Sequence, residues 1–269
     1  MRRFLFLAHK VPLDGEFTLN DLPGSAGRLD LLCRALGASL FVSHGIRRDV
    51  ESILLIQNRV QIRVSGERVK RLNPDERSTA ALLKRALEAR EEDEVESTPG
   101  IFVTNRDLSE ALDRLYQLEA NPVVLHEDGT DVDSFSFPPD PAFILSDHLD
   151  FSEDEERALA DLPRISLGRD PLHTSQCVSI LHYLLDRRGS EREEDLALCH
   201  IVSGEPKAQM IKNLLEDFGI PTNLVAHVPP ALIPVTFDGL ADVRIMVRES
   251  DLARAQQIIR DYFEQPIDG

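Results

Sequence analysis

The amino-acid sequence predicts an α/β protein with a mostly parallel sheet, followed by a second, smaller α/β domain. Short apolar runs typical of buried strands alternate with segments of helical periodicity, and this alternation favours a parallel sheet covered on both faces. The 269 residues, 42% of them hydrophobic, suffice for a large core. A charged segment at 187–195 lacks apolar periodicity and predicts a linker, so we expect domains at 1–188 and 193–269.

The front half combines apolar runs with helices that each have one apolar face. Gln57-Asn58-Arg59 separates two apolar runs and predicts a hairpin, and Asn73 before Pro74 is typical of a helix start. The acidic run at 91–96 is expected to be an exposed loop. The predicted elements are strands at 4–8, 39–43, 53–56, 60–64 and 101–104, and helices at 27–36 and from Asn73 to about 90.

The back half repeats the alternation of strand and helix. Ser152 is the expected cap of an acidic helix, and Gly219 is expected to end a later one. Before the linker we predict helices at 107–119, 152–162 and 174–186, and strands at 123–126, 142–145 and 164–167. After it we predict strands at 196–202, 223–227 and 243–247, and helices at 206–218 and 250–263.

The charge is unevenly distributed along the chain. The net charge is −17, which argues against a nucleic-acid binder taken as a whole. Residues 1–72 nevertheless carry 12 Lys and Arg against 7 Asp and Glu, whereas residues 73–192 carry 12 against 27. A phosphate-binding face in the first segment is one interpretation. Solvated ends of strands and helices are the other.

The cysteines and the hydropathy indicate a cellular setting. Three scattered cysteines, at positions 33, 177 and 199, are too few for a disulfide framework and favour a reducing, cytoplasmic environment. An apolar run near the roughly 20 residues needed to span a bilayer is absent from the sequence. We therefore expect no membrane partner.

The segment 21–30 contains a Pro-Gly turn, a second glycine, and then Arg28 and Asp30 before an apolar run. It is followed by Gly-Ile-Arg-Arg-Asp at 45–49, Pro-Asp-Glu-Arg at 74–77 and Ser-Thr-Pro-Gly-Ile at 97–101. In this order, the motifs resemble those of the archaeal-type tRNA pseudouridine N1-methyltransferases of the SPOUT superfamily, over residues 1–188. The resemblance implies a deep trefoil knot, S-adenosylmethionine as methyl donor, a homodimer, and a pseudouridine in RNA, above all in the T-loop of tRNA, as substrate.

The resemblance also implies donor-binding residues at three strand ends and on the last helix of the domain. The chain departs from the family at Ser146, where the family usually has Gly, and at His173-Thr174-Ser175-Gln176, where it often has His-Ala-Asn-His. Packing in the core is the alternative interpretation for the aliphatic members. The implied donor residues are Leu125, Ser146, Arg164, Ile165, Ser166, Leu167, Gly168, Arg169 and Cys177.

The implied reaction requires a nucleophile held in line with the methyl group. A carboxylate can accept the N1 proton, and an arginine can stabilise the negative charge that develops on the ring. Asp30 is our candidate proton acceptor, while Arg47 and Arg48 would bind phosphate beside Asp49. Structural ion pairs remain an equal alternative for Arg28 and Asp30. The catalytic candidates are therefore Arg28, Asp30, Arg47, Arg48 and Asp49.

Other kinds of chemistry find little support in the sequence. His173 and Cys177 have a spacing that can bind zinc, but no second pair completes a tetrahedral site, so we predict no metal. A Gly-x-Ser-x-Gly elbow and a P-loop are both absent from the sequence.

The C-terminal residues at 208–221, 239–247 and 250–252 resemble a small family of signal-transducing domains with a ferredoxin-like fold. That resemblance implies a regulatory domain with a small-molecule or protein partner. Two alternatives to a pseudouridine methyltransferase stay open: a non-catalytic SPOUT regulator that binds S-adenosylmethionine or RNA, and a methyltransferase for another uridine-like base in ribosomal RNA.

Overall fold

The computed structural model describes residues 1–194, 196–226 and 242–264, and it divides into two compact units, Met1–Tyr183 and Leu184–Gly269. The division falls within a long helix, Thr174–Glu194. The charged segment predicted to be a linker is therefore helical as far as Glu194. Each unit has its own sheet and its own hydrophobic core.

The first unit alternates strands with helices as the sequence predicts. Its elements, in chain order, are β1 (Arg2–Ala8), α1 (Leu22–Ser25), α2 (Leu29–Leu40), β2 (Phe41–Val42), β3 (Gly45–Ile46), β4 (Val50–Ile56), β5 (Val60–Ser65), α3 (Glu76–Glu88), β6 (Val95–Thr98), β7 (Ile101–Asn105), α4 (Leu108–Gln117), β8 (Asn121–Asp131), β9 (Pro141–Ser146), α5 (Glu153–Ala158), β10 (Arg164–Ser166) and α6 (Thr174–Glu194).

Eight of these strands form one sheet in the order β10-β8-β9-β1-β4-β5-β7-β6. The neighbours from β10 to β4 run parallel, and β5, β7 and β6 are added antiparallel. This mixed sheet confirms the predicted α/β class. Because β8, β9, β10 and β1 are parallel, their carboxyl ends share one edge of the sheet.

Strand β1 shows how both faces of the sheet are covered. Leu5 and Leu7 pack with residues of α4 and β9 in one buried cluster. Phe4 faces the other side, where its ring meets Phe143 and the His182 imidazole of α6. An apolar run without alternation therefore reflects a strand buried on both faces.

The boundary of α2 differs from the prediction. The expected strand at 39–43 is wrong, because α2 continues to Leu40 and only Phe41–Val42 pairs, with Gly45–Ile46 in a separate two-stranded sheet. The Ser39 hydroxyl donates to the Leu36 carbonyl at 2.8 Å and lies 2.5 Å from the Ser52 hydroxyl of β4. Packing of this last helical turn against the sheet thus outweighs the local preference for a strand.

Two smaller predictions near α3 are also corrected. Its cap is Asp75 and not Asn73, because the Asp75 side chain accepts from the Ser78 N–H at 2.8 Å. The acidic run is an exposed loop as predicted only as far as Glu94, because its last two residues, Val95 and Glu96, belong to edge strand β6. Two carboxylates of this run are paired with arginines: Glu94 lies 2.8 Å from Arg63, and Glu96 lies 3.0 Å from Arg68.

The second unit is a three-stranded antiparallel sheet with two helices, as far as its residues are described. The observed elements are β11 (Leu196–Ser203), α7 (Glu205–Asp217), β12 (Asn223–Ala226), β13 (Asp242–Arg248) and α8 (Leu252–Glu264), with the order β11-β13-β12. A buried cluster that includes Cys199, Ile211 and Ile245 forms its core. These elements confirm the smaller α/β unit. His227 of the predicted strand and residues 239–241 of the motif lie outside the described residues.

Helices that cross a lipid bilayer need about 20 predominantly apolar residues. In the described part of the chain, none combines the length and the apolar character needed to cross a bilayer.

Candidate functional site

A cavity of about 880 Å³ opens at the carboxyl edge of the parallel strands in the first unit. Ligands of open α/β sheets bind at this edge. Three segments form its walls. The first wall is Leu125–Asp128 of β8, the second is Ser146–Phe151 at the end of β9, and the third is Ile165–Gly168 with Asp170–Ser175 and Cys177. Arg28 and Leu31, at the start of α2, complete the lining. The volume lies within the range typical of small-molecule sites.

Most of the predicted donor-binding residues line this cavity. Arg164 is an exception, because its guanidinium lies 2.6 Å from the Glu156 carboxylate. Arg169 is exposed and does not belong to the lining. The seven that do are Leu125, Ser146, Ile165, Ser166, Leu167, Gly168 and Cys177, and burial raises the pKa of the Cys177 thiol.

The first wall of the cavity is formed where the pairing of β8 with β10 is irregular. Arg164 pairs with Val124, but the next residue, Ile165, pairs with Thr130. The intervening residues 125–129 therefore leave the ladder, and four of them line the cavity. A Cβ at Gly129 would come within 2.4 Å of the Ile165 backbone, so only glycine allows this approach.

The two departures from the family motif have a structural explanation. The Ser146 hydroxyl donates to the Leu149 carbonyl, and Ser146 does not have the positive φ that would favour glycine. Thr174 donates to the Ser146 carbonyl at 2.9 Å, and the Gln176 side chain accepts from the His173 N–H at 2.8 Å. The altered residues therefore anchor the start of α6 beside the cavity.

His9, at the carboxyl end of β1, forms a charged cluster behind the second wall. Its Nδ1 lies 2.9 Å from Asp147 Oδ1, and its Nε2 lies 3.0 Å from Glu155 Oε2. Hydrogen bonds that His9 donates to these two carboxylates raise the pKa of His9 to about 10. Burial opposes ionisation of Asp147, whose side chain is 1% exposed, and of Glu155, but His9 together with the Leu149 and Ser152 donors outweighs burial and lowers both pKa values.

Our sequence analysis missed this cluster. His9 is separated from Asp147 by 138 positions and from Glu155 by 146. One sequence signal was available: His9 and Asp147 each directly follow an apolar run. Residues in that position come together when the two runs are neighbouring parallel strands, because the ends of such strands meet at one edge of the sheet. The order of the strands, which single-sequence periodicity does not provide, was needed to use it.

Arg28 and Asp30 form a second charged group at the mouth of the cavity. Arg28 has a left-handed backbone, with φ of 65°, and its Nε lies 3.1 Å from Asp30 Oδ1. Arg34 binds the other carboxylate oxygen at 3.1 Å. Burial opposes ionisation of Asp30, but the arginines outweigh it and lower its pKa. Arg28 lines the cavity, whereas the Asp30 side chain, 7% exposed, lies behind it.

The turn that precedes Arg28 depends on Gly27. Gly27 has a positive φ of 58°, and a Cβ there would come within 2.0 Å of the Lys10 carbonyl oxygen. The turn at Gly27 therefore packs against Lys10, just after β1, and this packing places Arg28 beside the cavity.

The remaining catalytic candidates lie at the opposite edge of the sheet. Arg48 donates to the Gly66 carbonyl at 2.8 Å, Asp49 lies 3.7 Å from the Arg2 guanidinium, and the Arg47 N–H donates to the Leu40 carbonyl. Asp49 precedes Val50, which pairs with Arg2, whereas the cavity residue Ser146 pairs with Leu7. Along β1, the five-residue step from Arg2 to Leu7 corresponds to about 17 Å. Within a single chain, Arg47, Arg48 and Asp49 therefore do not lie at the cavity.

The cavity is predominantly acidic. Five carboxylates and one arginine are among its lining residues, together with three histidines, His126, His148 and His173. An acidic cleft with apolar segments suits a cationic ligand that also has an aromatic part. Among the described residues, no group of three or more His, Cys, Asp or Glu side chains could hold a metal ion.

Comparison with known proteins extends these observations. Residues 1–190 match the family model described as "Putative SAM-dependent RNA methyltransferase", and residues 202–262 match "Putative prokaryotic signal transducing protein". The tRNA (pseudouridine(54)-N(1))-methyltransferase of Haloarcula marismortui is 43% identical over 198 residues, covering 71% of this chain and 100% of that protein. That of Halobacterium salinarum is 44% identical over 196 residues, covering 70% and 98%.

A solved structure gives a likeness in fold. The crystal structure of Archaeoglobus fulgidus Nep1 bound to S-adenosylhomocysteine superposes with a TM-score of 0.51 at 18% identity, covering 70% of this chain and 99% of that one.

Proposed function

The chain belongs to the family of SAM-dependent RNA methyltransferases, and we propose that it transfers the methyl group of S-adenosylmethionine to N1 of pseudouridine 54 in tRNA. The observation that carries the proposal is the cavity at the carboxyl edge, lined by seven of the nine residues that the family motif implies for the donor. The curated relatives, which match over essentially their full length, support N1 and position 54.

The residues present suit this donor. When bound, S-adenosylmethionine supplies a methyl group on a positively charged sulfur. The carboxylates of the lining favour such a cation over a neutral or anionic ligand. Leu125 of β8, together with Ile165 and Leu167 at the end of β10, provides apolar walls, and backbone groups beside them can bind the adenine ring where water is excluded.

Arg28 is our candidate for the group that acts on the substrate base. Its guanidinium lines the cavity and is oriented by two hydrogen bonds to Asp30. Negative charge grows on the uracil-like ring as its N1 proton is lost, and a preorganised arginine stabilises that charge. Asp30 stays our candidate proton acceptor, although its lowered pKa makes it a weak base and its main contact is with Arg28. We therefore give Asp30 two roles to be tested, proton acceptance and orientation of Arg28.

We infer a homodimer from the positions of the other candidates. Arg47, Arg48 and Asp49 lie about 17 Å from the cavity of their own chain, at the opposite edge of the sheet, so only a second subunit could supply them to it. Mixing Arg28→Ala protein with Arg48→Ala protein tests this arrangement. If each site combines both subunits, equal mixing restores about a quarter of wild-type activity. Two inactive proteins that stay inactive after exchange of subunits would contradict it.

Three further properties belong to the same proposal. The match to the methyltransferase family model supports the deep trefoil knot that the motifs imply, and we propose it at the ends of β8, β9 and β10. The three cysteines are free, which supports a cytoplasmic enzyme. The second unit is proposed to be a regulatory domain that binds a small molecule or a protein, because it matches the signal-transducing model.

A pair of tRNA transcripts tests the activity. One contains pseudouridine at position 54 and the other contains uridine, with the remaining sequence identical. We expect methyl transfer from labelled donor to the first transcript only, because uridine lacks the free N1. Methylation of both transcripts would show a different target atom, and methylation of neither by a protein that binds the donor would favour the non-catalytic alternative.

A further inference from the structure

His9 lies between two carboxylates that belong to different elements. Its Nδ1 faces Asp147 after β9, and its Nε2 faces Glu155 of α5. An ionised carboxylate only accepts hydrogen bonds, so both ring nitrogens must donate and the imidazole carries a positive charge. The His9 backbone N–H adds a bond of 2.9 Å to Asp147 Oδ2. Three hydrogen bonds therefore join the end of β1 to the two carboxylates.

Both carboxylates also bind the backbone of the loop between β9 and α5. Asp147 Oδ1 accepts from the Leu149 N–H at 2.9 Å. Glu155 Oε2 accepts from the Ser152 N–H and from its hydroxyl, both at 2.8 Å. The two ends of the loop are thus held by side chains that share His9 as a partner. The stretch Asp147–Phe151 between them is the second wall of the cavity.

We propose that His9 is a positioning residue for the methyl donor: as an imidazolium between Asp147 and Glu155, it fixes the wall Asp147–Phe151 in the shape that the donor binds. This inference rests on the proposed function, because it assigns the cavity to that donor. His9 itself does not belong to the lining and acts through Asp147. Without the cation, two partly buried carboxylates would face each other, and each would lose one hydrogen-bond donor.

The charges around His9 determine how its effect depends on pH. Asp147 and Glu155 contact the ring directly, from the loop after β9 and from α5. His148 Nδ1 lies 3.5 Å from Asp147 Oδ1 and is the next nearest titratable partner of this pair. Because His9 stays protonated through neutral pH, its contribution to the wall should vanish only in alkaline solution.

Calorimetric titration of the full-length protein with S-adenosylmethionine and S-adenosylhomocysteine tests the inference. The variants are His9→Gln, which removes the charge, and His9→Lys, which restores a cation. His44→Gln, an exposed histidine in the turn between β2 and β3, is the control. We expect His9→Gln to weaken both ligands about tenfold or more, with kcat at saturating donor nearly unchanged, and His9→Lys to recover part of the affinity. For S-adenosylhomocysteine, the difference between wild type and His9→Gln should shrink as pH rises toward 10.

Several outcomes would overturn the inference. Wild-type affinity in a folded His9→Gln protein would remove His9 from this role, and equal weakening in His9→Gln and His9→Lys would show that the charge is irrelevant. If His9→Gln does not fold, Glu155→Gln removes one ion pair and leaves His9 on Asp147. It should weaken both ligands by about threefold, and unchanged affinity would contradict the role. A wild-type protein that binds neither ligand would refute the proposed function itself.

Discussion

At the scale of single residues, the chemistry depends on how Asp30 holds Arg28. Arg28 reaches the cavity because its backbone is left-handed and its guanidinium is bound by a largely buried carboxylate. Asp30 also receives Arg34, so the carboxylate balances two cations. Charge stabilisation by Arg28 is therefore better supported by the geometry than direct proton transfer to Asp30.

Substitution of these two residues separates their roles. We expect Arg28→Ala to lower kcat about 100-fold while donor affinity changes little, because a group that stabilises developing charge acts mainly on the transition state. Asp30→Asn keeps a polar partner for Arg28 but removes the base. Single-turnover methylation with donor and tRNA saturating gives the rates, and Asp113→Asn on the exposed face of α4 is the control. A wild-type rate for Asp30→Asn would eliminate Asp30 as proton acceptor.

The dependence of stability on pH follows from the His9 cluster. The folded pKa of His9 is about 10 against 6.5 in the unfolded chain, so its stabilisation is complete below pH 6.5 and is lost as pH rises toward 10. The lowered pKa values of Asp147 and Glu155 add stability above their unfolded values, which is lost in acid. Denaturant unfolding of wild type and His9→Gln at several pH values should show the largest difference near pH 5–6. A difference that grows above pH 8 would contradict this assignment.

The sequence located residues of the cavity wall better than the side chains that support this wall. Leu125 and Ile165 could be identified because strand ends are visible as the ends of apolar runs, and family motifs marked their neighbours. His9 and Glu155 could not, because their contact depends on which strands are neighbours in the sheet. Arg164 was assigned to the donor from its place in the motif, but the nearby Glu156 of α5 binds its side chain.

At the scale of elements, the irregular pairing of β8 with β10 shapes one wall of the cavity. Residues 125–129 leave the ladder, and Gly129 lets this segment lie directly on the Ile165 backbone. Local sequence patterns do not show this role of Gly129, because its close contact is with a residue 36 positions further along the chain. The extension of α2 to Leu40, into the strand predicted at 39–43, has the same cause, since partners from β4 and α6 hold Ser39 in the helix.

A substitution at Gly129 tests the importance of this packing. Gly129→Ala places a methyl group about 2.4 Å from the Ile165 backbone, which must move, so we expect a loss of about 1–3 kcal/mol in unfolding free energy and weaker donor binding. Gly37→Ala in the middle of α2 is the matched control, because its new Cβ meets only the Phe41 ring at 3.7 Å. Thermal unfolding with and without S-adenosylhomocysteine measures both effects. Equal behaviour of the two variants would show that the approach of β8 to β10 is not tight.

At the scale of the whole molecule, the two units have separate cores, and the cavity is built from the first alone. The sequence predicted both α/β units, but it placed a linker where α6 continues to Glu194. Charged residues without apolar periodicity are compatible with a solvated helix as well as with a linker, and composition does not separate the two. The distance between Arg28 and the 47–49 segment likewise became evident only from the strand order.

Truncation of the chain after Glu194 tests the independence of the first unit. This cut retains all of α6 and removes the match to the signal-transducing model. We expect the dissociation constant for S-adenosylhomocysteine to stay within about twofold of the full-length value, since every lining residue of the cavity belongs to the first unit. A loss of binding in a truncated protein with a native circular dichroism spectrum would mean that the second unit helps to build the site.

Nucleoside analysis of tRNA tests the central claim most directly. Transfer RNA from a strain lacking this protein is digested and examined by mass spectrometry, alongside tRNA from the same strain carrying the wild-type chain or Arg28→Ala. We expect N1-methylpseudouridine at position 54 to be absent from the deletion strain, restored by the wild-type chain and not by Arg28→Ala. An unchanged level of that nucleoside in the deletion strain, or loss of a different methylated base, would contradict the claim.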